Sequence, residues 1–115
     1  MKLIRCYTRP ESLEKIRQRL FDLGAPGLSV TDARGIGKPL SQMTPEKGGA
    51  PKDLPQFRDR ICVDIVTGDE NANEIAQAIA NITRTGKLGD GKIFIWTVDE
   101  AIRVRTGECG GDALY

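Results

Sequence analysis

Histidine is absent from all 115 residues. That removes the usual general base and the commonest metal ligand, so no imidazole-based catalytic or metal site can be written on this chain. Cysteine is scarce: Cys6, Cys62 and Cys109 are odd in number and far apart, which supports neither a disulfide framework nor a zinc site. Cys6 and Cys62 fall in strand-like segments and read as small core residues, whereas Cys109 lies in a glycine-rich tail and reads as accessible. A charge excess is missing too. With 17 basic against 16 acidic residues the net charge is +1, which gives no electrostatic case for nucleic acid or an anionic membrane surface. No apolar run approaches the length of a membrane span, and Met1-Lys2-Leu3-Ile4-Arg5 lacks a signal-peptide core. The expectation is a single cytoplasmic domain over 1–115, small enough that oligomerisation would help it, and not inserted in a membrane.

Polar residues with a common purpose are concentrated near the C-terminal end. Between Thr85 and Glu108 the chain reads TGKLGDGKIFIWTVDEAIRVRTGE. Gly86, Gly89 and Gly91 let backbone N–H groups approach an anion without a Cβ in the way, and Lys92 follows directly. The spacing meets the Walker A pattern up to its lysine, but Ile93 stands where the Mg²⁺-binding hydroxyl belongs, and Ile93-Phe94-Ile95-Trp96 predicts a strand rather than a helix. This excludes a P-loop NTPase. The loop fits an anion cradle and also fits a plain tight hairpin. In Ile102-Arg103-Val104-Arg105-Thr106 an extended backbone would send both arginines to one face, suited to bidentate phosphate contacts or, alternatively, to a solvated strand edge.

The remaining pattern is regular. Lys2–Arg9 predicts a strand, and Thr8-x-x-Glu11 a capping box with Pro10 in the first helical turn. Leu13, Ile16, Leu20 and Leu23 repeat at helical spacing up to Gly24. A second strand is expected over 27–36 and a third over Arg60–Thr67, with Ile61, Val63 and Ile65 on one face. Ala72, Ile75, Ala76, Ile79 and Ile82 mark a second helix capped by Asp69, and a fourth strand covers Ile93–Val98. Between 37 and 57 prolines at 39, 45, 51 and 55 and Gly48-Gly49 preclude regular structure, and a loop of that length in a small domain is usually functional. The order β-α-β-loop-β-α-β is that of a ferredoxin-like α+β sandwich with both helices on one face of an antiparallel sheet. The near-continuous apolar run Ile93–Trp96 needs cover on both faces, which only a partner subunit can supply.

These segments together resemble the PII signalling proteins. The likeness is carried by Thr85–Phe94, by Arg103-Val-Arg-Thr-Gly-Glu108 and by Gly27-Leu-Ser-Val-Thr-Asp-Ala-Arg-Gly-Ile-Gly37. The resemblance implies a βαββαβ homotrimer that is not an enzyme, with adenine nucleotide held in inter-subunit clefts and no resident metal. It further implies a T-loop at about 37–59, a nucleotide loop at 85–92 and a C-terminal tail at 106–115. By position it assigns phosphate contacts to Gly89, Asp90, Gly91 and Lys92, with Arg103 and Arg105 reaching over from a neighbouring subunit. Gly37 and Lys38 join them at the T-loop base, and Ser29 and Asp64 take the adenine and ribose end. Pro39 stands where the family has the glutamine that binds Mg²⁺ and helps hold 2-oxoglutarate, and the loop has no tyrosine for modification. This altered loop, with Cys109-Gly110-Gly111, is similar to PII-like proteins linked to carboxysomes and bicarbonate transporters. That likeness implies ADP or AMP over Mg-ATP, bicarbonate on Lys38, Arg58 and Arg60, and a transporter or carboxysome partner for the T-loop. Two further expectations stand beside it: a nitrogen-regulatory PII answering to ATP, ADP and 2-oxoglutarate, and a slow nucleotide phosphohydrolase.

Overall fold

A computed structural model describes residues 1–36 and 56–115. The expectations placed on Gly37, Lys38, Pro39 and the rest of the T-loop up to residue 55 lie outside the described residues. Four strands and two helices alternate as β1 (Lys2–Thr8), α1 (Leu13–Asp22), β2 (Ser29–Gly35), β3 (Arg58–Thr67), α2 (Asp69–Thr83) and β4 (Lys92–Thr97). The sheet is antiparallel in the order β2-β3-β1-β4, so the expected ferredoxin-like sandwich is the observed fold.

Period-2 alternation explains which face is buried. Ile4, Cys6 and Thr8 of β1 pair with Ile65, Val63 and Ile61 of β3, and all six are buried beneath the helices. Ile16 and Leu20 of α1, with Ala72, Ile75, Ala76 and Ile79 of α2, close that core. Burial raises the Cys6 thiol to about 11, so it stays protonated and behaves as an apolar residue.

Among the described residues no helix covers the other face of the sheet. Phe94 and Trp96 remain 48% and 44% exposed there, beside a polar centre in which Arg5 grips Asp64 with two hydrogen bonds of 2.8 Å. The Arg5 guanidinium also lies 5.3 Å from the centre of the Trp96 ring. Those hydrogen bonds hold the Asp64 carboxyl below its ordinary range, and hold the arginine proton more firmly still.

Several local expectations are corrected. The Thr8 hydroxyl does not cap a helix: it donates to the Asp90 carbonyl at 3.1 Å, and Pro10–Ser12 instead form a 3-10 turn leading into α1. Gly68, not Asp69, caps α2, and Asp69 sits in the first turn, where its carboxylate meets the Met1 ammonium at 2.9 Å. Strand β3 starts at Arg58, two residues earlier than expected, so Arg58 and Asp59 belong to the sheet. The predicted strand Ile102–Thr106 does not form. Only Ile102 bridges to Cys109, and the Gly107 N–H turns back to the Arg103 carbonyl at 2.7 Å. Beyond that bridge the alternating Ile-Arg-Val-Arg pattern pairs with no strand among the described residues, and Gly107 at φ +76° favours a turn.

Candidate functional site

The glycine loop between α2 and β4 is built around one carboxylate. Asp90 accepts hydrogen bonds from the Thr85 N–H at 2.7 Å, the Thr85 hydroxyl at 2.5 Å and the Gly86 N–H at 2.8 Å. From the end of β1, Arg9 Nη1 reaches the same carboxylate at 2.8 Å, while Arg9 Nη2 donates to the Leu88 carbonyl at 2.7 Å. The Asp90 side chain therefore shapes the loop, its oxygens taken up by the loop backbone, Thr85 and Arg9. Its partners, Thr85 first and Arg9 next, hold its pKa well below the ordinary carboxylate range.

Two glycines set how closely the loop can approach its surroundings. A Cβ on Gly91 would stand 1.7 Å from the Tyr7 carbonyl oxygen, and its φ is +99°. Only glycine lets β4 start directly against β1. At Gly89, φ is +97° and a Cβ would meet Arg9 Nη2 at 3.0 Å and Arg60 Nη2 at 3.2 Å. Two guanidiniums, one from the residue after β1 and one from β3, thus converge on one bare segment of backbone.

Beside this segment lies an open cleft of about 830 Å³, bounded by the end of β2, the start of β3, the glycine loop and β4. Arg34, Arg60, Lys87 and Lys92 give it a cationic rim, and Tyr7, Phe57, Leu88 and Phe94 give it apolar walls. Tyr7 and Phe94 meet edge to face with centroids 6.4 Å apart, and Arg34 lies 5.8 Å from the Phe57 ring centre. Among the described residues Lys87, Lys92, Arg34 and Arg60 form no salt bridge, so their charge is available. A smaller cleft of about 440 Å³ runs between α2 and β4 and shares Asp90, Gly91 and Lys92 with the first. The chemistry on offer is anion binding by backbone and cations next to an apolar surface. Among the described residues no group of three His, Cys, Asp or Glu side chains could hold a metal ion.

The sequence-derived residues distribute unevenly over this geometry. Gly89, Asp90, Gly91, Lys92 and Arg60 come together in the cleft. Ser29 and Asp64 are register partners on the uncovered face of the sheet, and neither lines a cleft in the same chain. Arg58 lies at the start of β3 outside the lining. Arg103 and Arg105 are in the C-terminal segment, also outside it. Sequence reasoning missed Arg9 and Thr85, which organise the loop. The Arg9 signal was present in the topology: with Tyr7 paired to Lys92, continuing the antiparallel register sets Arg9 opposite Asp90.

A pH dependence follows from Asp90. Because its folded pKa is depressed, its contribution to stability is present above the ordinary carboxylate value and is lost as pH falls through the lower folded value. Asp64, Asp69 and Glu108 are depressed in the same direction. Thermal melts should therefore show stability falling as pH drops from about 5 to about 2, with a shallower fall for Asp90→Asn than for the wild type. Parallel curves for the two proteins would remove Asp90 from this role.

Known proteins resemble this chain over almost all of its length. The family model described as nitrogen regulatory protein P-II matches residues 1–108. The nitrogen regulatory protein P-II of Rhizobium meliloti (strain 1021) is 38% identical over 114 residues, 99% of this chain and 100% of that protein. That of Rhodospirillum rubrum is 34% identical over the same span. Among solved structures, the B. subtilis GlnK–ATP complex superposes with a TM-score of 0.81 at 27% identity, covering 98% of this chain and 94% of the other.

Proposed function

Since the chain belongs to the nitrogen regulatory P-II family, we propose that it is a cytoplasmic regulatory protein that binds adenine nucleotide at its glycine loop and reports occupancy to a partner protein. One observation carries this reading. The Asp90-centred loop presents bare backbone at Gly89 and Gly91 with Lys92 and Arg60 alongside, all facing a cleft with an apolar wall. Phosphate oxygens suit the loop and cations, and a purine suits the wall. The B. subtilis relative, whose structure is an ATP complex, supports adenine as the base. A homotrimer completes the site in this reading. A neighbour's Arg103 and Arg105 supply further phosphate contacts, a second subunit covers the exposed Phe94 and Trp96, and Ser29 and Asp64 contribute the ribose end of an adjacent cleft. A regulator, rather than an enzyme, is favoured by the regulatory names of the relatives.

Those names also favour nitrogen status as the signal. Inorganic carbon is the second reading, favoured by Pro39, which brings neither a side-chain oxygen for Mg²⁺ nor a backbone donor. In it ADP or AMP is preferred to Mg-ATP, bicarbonate sits among Lys38, Arg58 and Arg60, and the partner is a transporter or carboxysome component. Calorimetric titration with ATP, ADP and AMP, each with and without Mg²⁺, 2-oxoglutarate and bicarbonate, separates the two. Mg-ATP binding strengthened by 2-oxoglutarate selects nitrogen sensing, whereas ADP or AMP binding strengthened by bicarbonate selects carbon sensing. Sustained nucleotide turnover that vanishes in Lys92→Ala would replace both with the phosphohydrolase.

A further inference from the structure

The guanidinium of Arg103 is already occupied. Its Nη1 donates to Glu108 Oε1 at 2.5 Å and its Nη2 donates to the main-chain oxygen of Tyr115. The backbone between these residues is closed on itself. Arg103 N–H donates to the Glu108 carbonyl at 2.8 Å, and Gly110 N–H to the Ala101 carbonyl at 2.9 Å. A 3-10 turn over Gly110–Ala113 then carries the chain on to Tyr115. There the phenol is fixed at a second point: its oxygen lies 3.3 Å from Thr67 Oγ1 and accepts from Asn71 Nδ2 at 3.3 Å. Thr67 ends β3 and is fully buried, and Asn71 is in the first turn of α2. Among the described residues Tyr115 is the side-chain partner of the Thr67 hydroxyl. Tyr115 is itself 61% exposed, so water can replace the phenol when it leaves, and these contacts hold the tail only by the modest net worth of a hydrogen bond.

We propose that residues 109–115 are an autoinhibitory latch on the nucleotide site. Tyr115, held at Thr67 and Asn71, keeps its main-chain oxygen on Arg103 and withholds that guanidinium from a nucleotide phosphate. The proposal rests on the nucleotide reading above and adds regulation to it. The competition is between two oxygen acceptors for the same N–H donors: a phosphate held bidentately needs the Nη1/Nη2 edge, of which Glu108 takes one corner and the Tyr115 oxygen of the tail the other. Arg103 can serve a neighbouring cleft fully only with the tail displaced. Because the two events share one guanidinium, the coupling is reciprocal. Nucleotide must loosen the tail by the factor by which the tail weakens nucleotide.

The test uses the full-length chain, Tyr115→Phe, a chain shortened after Asp112, and both tail changes combined with Arg103→Ala, each titrated with ADP by calorimetry. Both tail variants should bind ADP about three- to tenfold more tightly than the wild type, the worth of one or two hydrogen bonds. The gain should vanish in the Arg103→Ala background. In hydrogen exchange on the wild type, saturating ADP should speed exchange of the amides of residues 109–115. If the wild type binds ADP, Lys92→Ala weakens that binding, and both tail variants bind no more tightly than the wild type, the latch is wrong and the nucleotide reading stands. If only the shortened chain binds ADP, the latch is present in its strongest form. If no form binds any nucleotide, both inferences fall together.

Discussion

Replacing Gly91 with alanine should lower stability by about 3–4 kcal/mol, the range reached only by severe backbone or core conflicts. Two costs coincide at this residue. A φ of +99° lies in a region that L-residues rarely adopt, and the added Cβ would stand 1.7 Å from the Tyr7 carbonyl oxygen. The obstacle is the backbone of β1, so no side-chain rotation relieves it. The chain can respond only by moving the start of β4 off β1 and breaking the pairing that begins at Tyr7–Lys92. Gly86→Ala supplies the control. Its φ is +82° but nothing lies within 4 Å of the added Cβ, so it should cost only about 1 kcal/mol of backbone strain. In thermal melts the Gly91 variant should lose about 15 °C or more and the Gly86 variant a few degrees. Equal losses would mean that the close approach of loop and β1 is not what glycine is needed for.

Lys92→Ala should behave in the opposite way, leaving the fold intact and emptying the site. Lys92 is exposed, forms no salt bridge among the described residues and opens an edge strand, so its removal should change stability by less than about 0.5 kcal/mol. Lys92 lines both clefts, next in sequence to the bare backbone of Gly91. A hydrogen bond to a charged group is worth about 1.5–3 kcal/mol, so nucleotide affinity should drop roughly 10- to 100-fold. The contrast between the two substitutions separates the work of building the loop from the work of binding with it.

Much of the architecture was legible because burial imposes periodicity. The stripes Leu13-Ile16-Leu20-Leu23 and Ala72-Ile75-Ala76-Ile79-Ile82 are the helix surfaces that meet the sheet, and Ile61, Val63 and Ile65 are the buried face of β3. Alternation misled at Arg103–Arg105 because period 2 marks a strand only where a ladder partner exists, and here a local turn satisfies the backbone instead. The glycines at 85–92 marked a loop of bare, positive-φ backbone, which the structure has at Gly86, Gly89 and Gly91. The task of Asp90 was not, because a carboxylate among glycines reads alike whether it faces a ligand or its own backbone. Arg9 and Thr8 were hidden by distance along the chain: they act on Leu88 and Asp90, about eighty positions away, through a register that only the paired strands reveal. Thr8, read from the sequence as a helix cap, gives its hydroxyl instead to the Asp90 carbonyl, and the tertiary contact prevails.

The central claim is that the Asp90-centred loop and Lys92 form the phosphate end of an adenine-nucleotide site. Parallel calorimetric titrations of ADP into the wild type and into Lys92→Ala, with thermal melts on the same samples, test it most directly. The account predicts saturable binding to the wild type, affinity lower by roughly 10- to 100-fold in the variant, and superimposable melts. Equal affinities in two equally stable proteins would contradict it and remove the glycine loop from the nucleotide site.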